Sequence, residues 1–74
     1  MKIYSREHKE GYLLVNIGVN QQEVQLNASQ VHRYLNAIGL NTVAGLELVG
    51  DNGAIFEITY HGAFATRKYT LKRK

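Results

Sequence analysis

The chain lacks cysteine, proline and tryptophan altogether across its 74 residues, and each gap excludes something. Without cysteine there can be no disulfide, no thiolate metal site and no cysteine nucleophile, which agrees with a reducing compartment. Without proline, turns must rest on Gly, Asn and Asp. Long apolar runs are missing as well: the longest, Tyr12 to Val15, is far short of the roughly 20 residues that span a bilayer. Met1 to Glu7 has no apolar segment like that of a signal peptide, so the expectation is a soluble, cytoplasmic protein with no membrane partner. Acidic residues are absent beyond Glu57, whereas Arg67, Lys68, Lys72, Arg73 and Lys74 supply five of the nine basic groups. Residues 1–66 hold four basic against six acidic side chains, a net −2, so the overall +3 belongs to a basic C-terminal end, 67–74.

What is present fits one small α+β domain over 1–74. A chain of this length buries only about 60% of the surface its unfolded form exposes, so the core must be thin. The clearest element is a helix over about 28–38. Val31, Tyr34, Leu35 and Ile38 recur at the spacing of one helical face. Asn27 is placed as its N-cap, with Gln30 set to close a capping box and Leu26 to staple onto Val31. Gly39 followed by Leu40 predicts a Schellman ending.

Strands flank the helix. Met1 to Arg6 is expected to form a short strand with Ile3 inward. Tyr12 to Val19 alternates Leu13, Val15, Ile17 and Val19 on one side, as a half-buried strand does. After Asn20-Gln21-Gln22, residues 23–26 alternate again, predicting a hairpin that runs into the helix cap. Val43 to Val49 and Ala54 to Tyr60 bracket Gly50-Asp51-Asn52-Gly53, whose Asn-Gly step predicts a type I′ hairpin turn. His61-Gly62 reads as another turn, and Ala63 to Leu71 as a last strand before a Lys72-Arg73-Lys74 tail.

The expected fold is therefore α+β: one amphipathic helix packed on one face of a four- to six-stranded, largely antiparallel sheet, in the order (β)ββαβββ. The core is expected from Leu13, Val15, Ile17, Val24, Leu26, Val31, Leu35, Ile38, Leu46, Leu48, Phe56 and Ile58. This order resembles a β-grasp or related small α+β module, a resemblance of architecture alone. Compact chains of this kind also resemble small phage or mobile-element accessory proteins, which implies binding to a host protein or nucleic acid.

Chemistry is sparse. Neither Ser5 nor Ser29 sits in a G-x-S-x-G elbow, and the glycines match no nucleotide-binding pattern. His8, His32 and His61 do not fall at zinc-ligand spacings. No catalytic residue, metal, cofactor or small-molecule substrate is expected. The strongest signal is the basic end: Arg67, Lys68, Lys72, Arg73 and Lys74, with Tyr69 as a stacking ring and Arg33 from the helix, suit nucleic-acid phosphates. On a strand, Lys68, Thr70 and Lys72 share one face and Arg67, Tyr69, Leu71 and Arg73 the other. The bland alternative is a solvated end whose lysines guard a sheet edge. A protein partner or a homodimer is the competing expectation, through a sheet face that no second helix covers and that carries Tyr12, Leu14, Ile55 and Phe64.

Overall fold

The computed structural model describes residues 1–63 and 66–74. It contains β1 (Lys2–Ser5), β2 (Leu13–Leu14), β3 (Glu23–Leu26), α1 (Ala28–Ala37), β4 (Glu47–Gly50), β5 (Ile55–Ala63) and β6 (Thr66–Arg73). The strands form one sheet in the order β2-β1-β4-β5-β6-β3, with every pairing antiparallel. The sheet curls so that α1 lies against both β6 and β2. This is the α+β arrangement that the alternating segments and single helical stripe require.

Period-two burial fixes the inner face. Ile3, Ser5, Leu13, Leu48, Phe56, Ile58, Tyr69 and Leu71 point inward and meet Val31, Tyr34, Leu35 and Ile38 of α1. Ile17 and Val24, also expected in the core, are only partly buried at its margin. Ile3 is fully buried in β1, which is an inner strand between β2 and β4.

Both ends of α1 form much as the sequence dictates. The Asn27 side chain accepts from the Ser29 N–H at 2.8 Å. At the other end Leu40 N–H donates to Leu35 C=O at 2.9 Å and Gly39 N–H to Asn36 C=O at 3.2 Å. That pair of bonds is a Schellman motif, and it requires the left-handed backbone that Gly39 adopts at φ 78°. The capping box does not form, because the Gln30 amide turns away to donate to Leu14 C=O at 3.0 Å.

Several local expectations are corrected. Tyr12 to Val19 is not one strand. The ladder to β1 ends where Met1 and Val15 exchange two 2.9 Å bonds, after which the chain leaves the sheet before β3, with Val19 88% exposed. A turn does form, with Gln21 N–H on Gly18 C=O, but β2 and β3 do not pair across it. They are the two opposite edges of the sheet. Alternation told which face each strand buries and was silent on its partner.

The β4–β5 hairpin is present with a different turn. Gly53 N–H donates to Gly50 C=O and Gly50 N–H to Ala54 C=O, so Asp51 and Asn52 are the turn's central residues. Gly53 follows at φ 88°, the three-residue loop that closes with a left-handed glycine. His61 and Gly62 make no turn; they continue β5 and pair with Lys68 and Arg67. The basic end is not a tail either. β6 reaches Arg73, whose N–H bonds Gln22 C=O at 2.8 Å, and Lys74 N–H bonds Ile55 C=O at 2.9 Å.

Candidate nucleic-acid interface

β6 is flanked by β5 on one side and β3 on the other, so it is not an edge and its lysines guard none. The split of its side chains follows the expected alternation: Tyr69 and Leu71 are buried, while Lys68 and Lys72 are exposed on the outer face. Neighbours then decide which cations are open to a partner. Lys74 Nζ lies 3.7 Å from Glu47 and 4.0 Å from Glu57, and Arg6 shares Glu47 at 3.3 Å. Lys72 stands in register between Glu57 and Glu23. These exposed pairs add little stability, at most about 1 kcal/mol each, but they offset positive charge where the sequence concentrates it. Arg73 turns inward, its guanidinium 5.5 Å from the centre of the Phe56 ring and its Nε buried.

The far half of the β5–β6 hairpin is different. Residues 58–74 contain no acid, and within that stretch Arg67 and Lys68 are exposed opposite Gly62 and His61. Arg67 and Lys68 thus face solvent, as phosphate contacts must. Tyr69 does not, since the residue is 8% exposed and part of the core. Its hydroxyl meets His32 Nε2 at 3.0 Å, and the two rings are edge to face at 5.6 Å. The aromatic that reaches solvent is its register partner Tyr60, 47% exposed and 5.0 Å from the Tyr69 ring. Sequence pattern alone does not mark Tyr60, His61 or His32 as candidates for this surface. The absence of acids from Ile58 onward, rather than the cations after Arg67 alone, was the signal that would have found the first two. Arg33 is exposed on α1, away from this hairpin, and lines a groove with β2.

That groove is a second surface. It encloses about 430 Å³ between α1 and β2, lined by Gly11, Tyr12, Leu13, Leu14, Gln30, Arg33, Tyr34 and Ala37. Tyr12 and Leu14 are 52% and 65% exposed beside it, with Lys2 Nζ 4.8 Å over the Tyr12 ring. The outer sheet face itself is not broadly apolar. Ile55, in register with Val49, is partly buried there, but the same face continues along β5 as Glu57, with Glu47 opposite, and Thr59. Phe64 lies outside the described residues.

Among the described residues, Ser5 is the buried side chain outside the apolar and aromatic set. Its hydroxyl accepts from His8 N–H at 3.1 Å and lies 3.3 Å from His8 Nδ1, while its backbone N–H donates to the Tyr34 hydroxyl at 2.6 Å. Ser5 is 1% exposed, and its oxygen is taken up by the turn that follows β1. Tyr34 sits in the core with the rest of the helical stripe. Burial pushes its hydroxyl pKa above the ordinary tyrosine value, the Ser5 N–H pulling it partly back. The folded state thus holds the Tyr34 proton more tightly than the unfolded chain. Its stabilising effect is complete below the unfolded pKa near 10 and is lost as pH rises through the folded value. Tyr34→Phe should flatten the loss of stability above about pH 10, while lowering stability near neutrality by about 1–3 kcal/mol because Ser5 N–H loses its acceptor. Urea unfolding at neutral and alkaline pH measures both.

Among the described residues no group of three or more His, Cys, Asp or Glu side chains could hold a metal ion. No helix among them is long and apolar enough to cross a membrane. The fold and its surfaces define a small α+β protein with a basic hairpin end and an apolar strand-edge groove. Comparison with protein-family models, curated proteins and solved structures finds no match to the chain.

Proposed function

We propose that the protein is a small non-catalytic binding module that contacts nucleic-acid phosphates through the far half of the β5–β6 hairpin. The observation that carries this reading is the acid-free stretch from Ile58 onward, in which Arg67 is exposed on the same face as Tyr60 and Lys68 on the other. Cations without a carboxylate neighbour can release condensed counterions when they meet a phosphate backbone. Lys72 and Lys74, already close to Glu57 and Glu47, contribute less than their number suggests. Binding to labelled oligonucleotides between roughly 50 and 200 mM salt tests the reading. Affinity should fall steeply across that range, and a protein that retains no oligonucleotide at the low end overturns it.

A second reading is favoured by Tyr12 and Leu14, two large apolar side chains more than half exposed on one strand edge. Such a patch suits a protein partner, with a second copy of the chain as the simplest one. Light scattering should then give a dimer mass that Leu14→Asp reduces to the monomer without loss of the folded circular dichroism spectrum. A monomer at all concentrations tested removes the second copy as the partner.

A further inference from the structure

Tyr60 shares its strand face with fully buried Phe56 and with Ile58, yet nearly half of it is open to solvent. Its ring is nonetheless held on two sides. Tyr69 packs against it at 5.0 Å with the planes tilted by 47°. Tyr69 is itself fixed by His32, through the edge-to-face contact and the 3.0 Å hydroxyl bond. The second side is Gly62. A Cβ there would fall 2.5 Å from the Tyr60 hydroxyl and 2.7 Å from two ring carbons, so the ring lies against backbone that only glycine leaves clear. Arg67 is the register partner of Gly62, and it is exposed.

The result is a buttressed aromatic with an open side and a cation next to it. Such a platform suits an unpaired base: stacking on an aromatic tolerates any base, and a ring already packed against its neighbours loses less entropy on binding. In a duplex the π faces of the bases are covered by their neighbours, so only phosphate contacts would remain. We infer that the ligand is single-stranded nucleic acid, one base stacking on Tyr60 while Arg67 meets the adjoining phosphate; this rests on the nucleic-acid reading above. His32 and Tyr69 act as positioning residues that hold the platform.

The experiment compares fluorescently labelled oligothymidylate and oligouridylate of about 12 nucleotides, a length within the usual range of single-strand sites, with a duplex of the same length. Each is titrated with wild type, Tyr60→Phe, Tyr60→Leu and Gly62→Ala. The expected result is tighter binding of both single strands than of the duplex. Tyr60→Phe should keep that affinity within about twofold, whereas Tyr60→Leu should weaken single-strand binding about tenfold or more and leave duplex binding unchanged. Gly62→Ala keeps the ring but displaces it, so it should weaken single-strand binding too. It serves as the test should Tyr60→Leu fail to fold. Equal affinity for single strand and duplex, or single-strand binding untouched by Tyr60→Leu and Gly62→Ala, would overturn the stacking platform and leave the phosphate reading standing. Absence of binding to all three probes removes both.

Discussion

Phe56→Ala should lower the melting temperature by about 15 °C or more, the largest effect expected of any single substitution in this chain. Phe56 has no exposed surface, sits on β5 in the middle of the sheet, and pairs with Leu48 on one side and Arg73 on the other. Truncating a buried phenylalanine removes the transfer energy of its ring and leaves a cavity, together about 3–5 kcal/mol. A domain of this length has only about 4–11 kcal/mol of total stability. The sheet curled around α1 offers no second core to compensate, and the Arg73 guanidinium would lose the ring beneath it. Thr59→Ala is the control. Thr59 is exposed on the outer face of the same strand, so its replacement should change stability by no more than about 0.5 kcal/mol. Thermal unfolding by circular dichroism distinguishes the two, and a Phe56→Ala melting point within a few degrees of wild type would show that the core is not centred on this ring.

Reversing both hairpin cations, Arg67→Glu with Lys68→Glu, should reduce oligonucleotide affinity by at least about tenfold at low salt and shallow its salt dependence. Losing two phosphate contacts should reduce the log–log slope by about 1.4 on a single strand. The comparison that gives this meaning is Lys72→Glu with Lys74→Glu, which changes net charge equally at the other end of the strand. Those lysines neighbour Glu57 and Glu47. If binding depended on net charge alone, the two double variants would behave alike. If it depends on the hairpin end, the first should lose clearly more affinity than the second. Both pairs are exposed, so neither should unfold the protein.

The sequence was legible where one residue type answers one local demand. Val31, Tyr34, Leu35 and Ile38 had to share a helical face, and Gly39 with Leu40 had to end it; both occur. Ile3, Leu13, Leu48, Phe56 and Ile58 followed from alternation, since a one-residue slip would send each of them to solvent. Partnership was less legible. Val24 and Leu26 read as the return arm of a hairpin with the preceding strand, yet they pair with Leu71 and Tyr69, far along the chain. The inward face of a strand is written in its own residues, whereas its neighbour is chosen by the whole sheet. The candidate interface is subject to the same limit. Lys72, Arg73 and Lys74 looked like free cations in a row, and only long-range pairing brought Glu47, Glu57 and the Phe56 ring to them. Tyr69 looked like a stacking ring because its neighbours are charged, but its parity with Leu71 placed it inside.

Two glutamines end the sheet. Gln30 donates its amide to Leu14 C=O on the β2 edge, and Gln21 does the same to Glu23 C=O on the β3 edge at 3.0 Å. Each occupies an acceptor that a further strand would use, and each is supplied by a different stretch of chain, one from the helix and one from the turn before β3. At high concentration these amides compete with an incoming backbone for those two carbonyls, so a strand that pairs there must first break a bond the chain already makes. The protein can thus carry an exposed Leu14 and Tyr12 on its rim without offering, beside them, a strand ready to propagate.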